Sequence, residues 1–341
     1  IGAEGVNAYT SYDNTAYHNS FPAAEMYRWL TIFSDRLIDP VFRTFQAELE
    51  NVFEEYNMYA NEPSSQVQNQ LFADIYKGSP YEREVIGLPE HLKNPRLSKL
   101  IEFYNTWYVA NNMALIIVGD FDTETTKPMI AETFGRLQAK ELPARPSYPE
   151  VQLTGKKHYN LGYNPMVTWI YPGVKEGDPD QDVLDFVCAL LYNGQTGLLD
   201  KINTKGDVQF AGVFNDARRN TGRLIIEAVP YYDANQQMFE SDKATEAIIM
   251  REVDKIKSGN IPDELIANVK RLYAQSEKMT NENPSYKMNA LVDAFTYGKP
   301  TDDIFTANDK IQALTKDEIV RVAKKYFNAD HMTISFDEDT K

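Results

Sequence analysis

The feature that most narrows the possible folds is an internal repeat. Trp107-Tyr108, followed by Asn112-Met113 and an apolar run, is echoed by Tyr326-Phe327, then His331-Met332 and another apolar run, at a shift of 219 residues. Glu62-Pro63-Ser64 is matched by Asn283-Pro284-Ser285, and Tyr76 by Tyr297, at a shift of 221. The matches share one order and nearly one offset, which is the mark of a duplicated structural unit. Each copy mixes segments of helical period with short apolar runs of strand length. The spacing predicts an α+β fold of two repeated units, each a mostly antiparallel sheet packed against helices. Leu142 to Glu150 carries Pro143, Pro146 and Pro149 and reads as the linker. That places a first domain at 1–141, a linker at 142–150 and a second domain at 151–341, and 341 residues suffice for two cores. The first copy is the shorter at its front, so it reads as cut short there.

Val6–Ser11 and Thr15–Phe21 are predicted strands around the turn Tyr12-Asp13-Asn14. Pro22 opens a helix whose stripe is Met26, Leu30, Phe33 and Leu37, ended by Asp39-Pro40. Further helices are expected at 45–59, 66–76, 97–108 and 123–137, with a strand at 113–118. In the second half, strands are expected at 166–171, 208–214, 223–229 and 331–336. Helices are expected at 180–191, 236–257, 262–278 and 286–295, and the capping box Thr315-Lys316-Asp317-Glu318 starts a last one.

One of these helices carries an acidic pair. Phe45, Leu49, Val52 and Tyr56 recur at i, i+4, i+7 and i+11, the spacing of one helix face. Winding the segment at about 100° per residue puts Glu50 and Glu54 opposite that stripe, facing water. Glu48 and Glu55, seven apart, fall one above the other along the stripe's edge, where helix meets core. Stacked carboxylates at a buried margin repel each other, and a metal ion or a shared proton would relieve them. The plainer alternative is an amphipathic helix with solvated acids. The repeat supplies a control: shifting the pair by 219 to 221 lands on Ala267, Asn268 or Val269, and on Ala274, Gln275 or Ser276, none of them acidic. The duplicated unit does not need the pair to fold.

Composition removes several function classes. Thirty-five basic against fifty acidic residues give a net charge of −15, which argues against a nucleic-acid partner. No apolar run approaches the roughly 20 residues that span a bilayer, so no membrane partner is expected. The single cysteine, Cys188, excludes an internal disulfide framework and reads as a small core residue. Trp29, Trp107 and Trp169 also sit at core spacing.

Taken in order, the motifs N-A-Y-T-S (Asn7 to Ser11), R-L-I-D-P (Arg36 to Pro40), the E-x6-E pair Glu48 and Glu55, P-Y-x4-I-G (Pro80 to Gly87) and Y-V-A-N-N-M running to V-G-D-F (Tyr108 to Phe121) resemble the pitrilysin–insulinase family of zinc peptidases, M16 or inverzincins. The resemblance covers most of both halves and implies the M16-like, LuxS/MPP-like fold. In that family zinc is held by the histidines of an H-x-x-E-H helix and by the second Glu of E-x6-E. The resemblance therefore implies Zn2+ as cofactor, Glu55 as a metal ligand and Glu48 as its acidic neighbour in the catalytic site. It implies that Asn7, Ala8 and Tyr9 form a sheet edge to which a peptide substrate adds as a strand. It also implies a second M16-like half, in the same longer chain or as a separate subunit, closing a chamber around short or unfolded peptides.

The sequence departs from the family in lacking H-x-x-E-H. Its histidines are His18, His91, His158 and His331, none with a histidine partner at helix spacing. Glu90-His91 lies in a proline-flanked stretch that reads as a surface loop. The family layout puts the motif before Ile1, so a missing front is the expectation, with a periplasmic or secreted setting if a leader went with it. The leading reading is one half of a zinc metalloendopeptidase, inactive as given. The alternatives are a non-catalytic M16-like scaffold or processing partner, and a plain peptide-binding module using the same edge.

Overall fold

In chain order the computed structural model, which describes residues 1–60, 62–160 and 165–337, begins with strands β1 (Glu4–Thr10) and β2 (Thr15–Ser20). Helices α1 (Met26–Ile38), α2 (Phe45–Ala60), α3 (Pro63–Ile75), α4 (Pro89–Lys93), α5 (Leu97–Trp107) and α6 (Thr123–Thr133) follow. Next come β3 (Gly155–Asn160), β4 (Met166–Pro172), α7 (Gln181–Leu191), α8 (Leu198–Lys205), β5 (Phe210–Ala217) and β6 (Gly222–Val229). A small hairpin of β7 (Tyr232–Asp233) and β8 (Met238–Phe239) leads to α9 (Asp242–Lys257) and α10 (Asp263–Glu282). The chain closes with α11 (Pro284–Tyr297), α12 (Ala307–Ala313), α13 (Lys316–Phe327) and β9 (Met332–Asp337).

The chain forms two compact units. One comprises Ile1–Asn61, Arg83–Pro146 and Asn283–Thr296; the other comprises Glu62–Glu82, Ser147–Glu282 and Tyr297–Lys341. The segments 62–82 and 283–296 correspond under the repeat shift, and each belongs to the unit built mainly from the other copy. Repeats in sequence and units in space thus divide the chain differently.

In the first unit β1 and β2 form an antiparallel hairpin. Its core is Met26, Trp29 and Leu30 of α1, packed by Phe21, Phe33, Leu115, Ile117, Met129, Ile130 and Phe134. Trp29 stacks between Phe21 at 4.6 Å and Phe33 at 4.5 Å. Arg136 ties α1 to the end of α6 through Ser34 Oγ at 3.0 Å and Asp35. The strand expected at 113–118 enters no sheet among the described residues. Its side chains pack on α1 as a strand's would, but no neighbouring backbone completes a ladder. The first repeat therefore shows a hairpin where the sequence predicts a sheet.

The second unit is built on one mixed sheet of order β3-β9-β4-β6-β5, in which only the β3–β9 pairing is parallel. Val167, Trp169, Tyr171, Ala211, Val213, Leu224, Ile226 and Ala228 project from one face into the helices. There α7 buries Val183, Leu184, Phe186, Val187, Cys188, Leu190 and Leu191, while Asp182 in its first turn stays exposed. The end of α3 lies over the opposite face: Asp74 accepts from Lys157 Nζ and from Tyr159 Oη at 2.8 Å. Arg223 donates to the Ile75 carbonyl at 3.0 and 2.9 Å, and Tyr76 donates to Asp216. Arg218 chelates the same Asp216 and sits 4.6–5.1 Å from the centroids of Phe72, Tyr76 and Tyr81.

Helix spans follow the sequence reading closely, because apolar period and end signals agree. The helix expected at 236–257 begins only at Asp242, where Ser241 caps it, and the preceding residues form β8. The Glu90-His91 stretch is the short helix α4 rather than a loop, with His91 exposed. Pro89 at its first turn supplies the dihedral that starts it.

Candidate functional site

Helix α2 carries the acidic pair. Its backbone is helical throughout, with the Glu48 N–H bonded to the Thr44 carbonyl at 2.9 Å. None of its residues is buried: Phe45, Leu49, Val52, Phe53 and Tyr56 are half-buried, while Glu48, Glu50, Glu54 and Glu55 are all exposed. The margin at which the sequence places Glu48 and Glu55 is therefore not a buried one here. The reason lies in the packing, since the apolar stripe of α2 is itself only partly covered. Exposure does not separate the pair from Glu50 and Glu54. Glu50 accepts from Gln46 Nε2 at 3.0 Å, an i, i+4 contact along the helix surface.

The described residues contain no group of three or more His, Cys, Asp or Glu side chains able to hold a metal ion. A catalytic zinc takes three protein ligands and keeps one open position. Glu48 and Glu55 alone do not meet that requirement.

The hairpin that contains Asn7, Ala8 and Tyr9 is held firmly from behind while its first strand stays open. All seven residues of β1 are exposed, and β2 is its one partner among the described residues. A register shift falls between Glu4 and Asn7, where Gly5 adopts a φ of +60° that only glycine takes without strain. From Asn7 onward the register is regular: Asn7 faces His18, Ala8 faces Tyr17 and Tyr9 faces Ala16. The Ala8 N–H is taken by Asn7 Oδ1 at 2.8 Å. Tyr17 and Tyr108 share a hydroxyl–hydroxyl bond of 2.6 Å, Trp29 Nε1 donates to Asn19 at 2.7 Å, and Asn14 Nδ2 donates to Thr296 at 2.9 Å. Burial and the Tyr17 bond push the Tyr108 phenol well above its ordinary range. Burial, with Asp293 adding to it, also raises Tyr9. The sequence marked Tyr108 as the start of the Y-V-A-N-N-M run, Trp29 as a core residue and Asn14 as a turn residue, but not the hydrogen bonds they make.

Comparison with known proteins adds the family context. A family model described as Insulinase (Peptidase family M16) matches residues 1–88, and one described as Peptidase M16 inactive domain matches residues 96–273. The chain is 30% identical over 143 residues to a probable zinc protease, PqqL, of Escherichia coli strain K12, a match covering 40% of this chain and 15% of that protein. The chain thus spans only a fraction of that curated relative. The crystal structure of a protease from Helicobacter pylori superposes with a TM-score of 0.83 at 20% identity, covering 98% of this chain and 82% of that one. The first half of the periplasmic protease PqqL from Escherichia coli superposes with a TM-score of 0.75 at 17% identity, covering 98% and 76%. At these identities the superpositions establish the fold.

Proposed function

This chain belongs to peptidase family M16, the insulinase family, and on that premise we propose that it is part of a zinc-dependent metalloendopeptidase that hydrolyses short or unfolded peptides in a closed chamber. The observation that carries the reading is the order of the family matches together with one asymmetry between the repeats. Helix α2 bears Glu48 and Glu55, while α10, which occupies the same place in the second copy, has no acid at either position. The first copy is the catalytic-side domain and the second is non-catalytic, joined through Leu142–Glu150.

Glu55 would be the residue of this chain that holds Zn2+, and Glu48, about two helical turns before it, would stand as the supporting acid. The remaining ligands belong to an H-x-x-E-H segment that this sequence does not contain, so the chain by itself hydrolyses nothing. The substrate pairs with β1 along Asn7, Ala8 and Tyr9. Main-chain pairing of that kind tolerates many sequences, and the open edge of β1 favours it. To use the Ala8 N–H, an incoming strand must displace the Asn7 side-chain amide. A second M16-like half, fused or separate, closes the chamber.

The test compares this chain with the complete protein on a quenched fluorescent peptide, with and without o-phenanthroline. The complete protein should cleave, lose activity to the chelator and regain it on adding zinc, while this chain stays inactive. Cleavage that ignores the chelator would rule the reading out. A complete protein that binds the peptide uncleaved and contains no zinc would favour the non-catalytic scaffold or processing partner instead.

A further inference from the structure

On the face of the five-stranded sheet turned away from α7, a buried hydroxyl and a partly buried carboxylate stand side by side without a hydrogen-bond partner. Thr168 on β4 is 0% exposed and its hydroxyl makes no hydrogen bond. Glu227 on β6 stands directly opposite it in the antiparallel register, so both leave the sheet on the same face. Glu227 is partly buried, and among the described residues no hydrogen bond or ion pair reaches its carboxylate. Burial alone pushes its carboxyl above the usual range.

The residue opposite Glu227 on β5 is Gly212, and an aromatic ring takes the space its side chain would fill. Its neighbours on that face, Phe210 and Phe214, are 37% and 42% exposed. The Phe210 ring folds over the glycine, close enough that a Cβ at 212 would lie 2.9 Å from its Cζ and 3.6 Å from the Tyr192 ring. Phe210 and Tyr192 meet edge to face with centroids 5.7 Å apart. The result is a partly buried carboxylate beside the half-exposed Phe210 and Phe214 rings near the sheet edge, with the Thr168 hydroxyl buried next to it.

We propose that Glu227 and the rings beside it bind the cationic end of a peptide side chain, an arginine guanidinium first and a lysine ammonium second, with Glu227 as counter-ion. A guanidinium presents two parallel N–H donors to a single carboxylate. Its flat faces suit the Phe210 and Phe214 rings. A buried acid without a partner is costly, and an arriving cation removes that cost. The net charge of −15 favours the approach of such ligands. Only the natural ligand's being a peptide rests on the peptidase reading.

The probe is therefore a single residue, Nα-acetyl-arginine amide, with Nα-acetyl-citrulline amide as its uncharged control. Carbon-13 NMR of the Glu227 carboxyl follows both titrations in the unaltered chain. Arginine amide should bind in the millimolar range expected of so small a ligand and lower the midpoint at which Glu227 takes up its proton. Citrulline amide should do neither. Glu227→Gln, nearly isosteric, should weaken arginine amide binding by about tenfold or more while leaving the melting temperature unreduced. Equal response to the two probes, no response to either, or undiminished binding to Glu227→Gln would each overturn the proposal. Peptide hydrolysis plays no part in the readout, so failure of the peptidase reading would leave this result standing.

Discussion

At the scale of single residues, backbone crowding sets the hardest constraints. A Cβ on Gly222 would lie 1.8 Å from the Val174 carbonyl oxygen, and that atom is main chain, held by its own strand connection. Gly222→Ala should therefore cost about 3 kcal/mol or more, read as a fall in the urea midpoint, whereas Gly212→Ala meets mainly the movable tip of Phe210 and should cost less. Titration gives a second constraint. Asp185 on α7 is raised to about 6, chiefly by burial; Asp182 and Glu176 push the same way, while the Asn215 amide and Lys299 oppose them. Tyr273 and Cys188 are the other titratable groups beside it. Its folded value lies above its unfolded one of 3.8, so below about pH 4 the acid is protonated in both states and costs nothing. From about 4 to 6 the unfolded chain ionises first and stability falls, and above about 6 the loss is complete. At about 1.4 kcal/mol per unit, the loss is of order 1–3 kcal/mol. Asp185→Asn should remove that share of the slope when urea unfolding is measured at pH 5 and pH 7.5. An unchanged slope would mean that Asp185 ionises normally.

At the scale of elements, what the sequence disclosed depends on whether an element's signal is internal to it. The helix at Phe45–Ala60 is legible because its period, length and end signals all lie within it. The Thr315 capping box places the start of α13 to the residue, with Thr315 Oγ1 accepting from the Glu318 N–H at 3.3 Å and the Glu318 carboxylate accepting from the Thr315 N–H at 2.9 Å. Strands are harder, since their partners are remote in sequence. Residues 113–118 have the composition of a buried strand and no ladder, whereas Gly155–Asn160 is polar, unread beforehand, and pairs in parallel with β9. The site was legible only in part: the repeat singled out Glu48 and Glu55 by chemistry, but not their exposure, which depends on what packs against α2. The sequence offered Arg223 to Glu227 as a second sheet edge to hold a substrate end, but β6 lies inside the sheet between β4 and β5, and the lack of a partner for Glu227 depends on packing that the strand's own sequence does not encode. The hairpin makes an element-scale prediction. Tyr108→Phe, which breaks the bond to Tyr17, should loosen β1–β2 and raise amide exchange at Tyr9 and Ala16 severalfold, without moving exchange in β4 or β6.

At the scale of the whole molecule, duplication and exchange go together. Each repeat contributes its Pro-initiated helical segment, 62–82 or 283–296, to the unit built mainly from the other, so neither repeat is complete as an independent folding body. Native-state hydrogen exchange should group α3 with β4, β6 and α7, and not with α2, although α2 precedes α3 directly in the chain. Protection of α3 that tracks α2 would refute the exchange. The metal-holding role proposed for one side chain of α2 rests on the family membership, the ordered motifs and the unduplicated acidic pair. The most direct test is zinc analysis of the complete protein carrying Glu55→Gln beside Glu54→Gln, its exposed neighbour on the same helix. Loss of bound zinc in Glu55→Gln, with zinc retained in Glu54→Gln, is the expected result; equal zinc in the two would contradict the assignment.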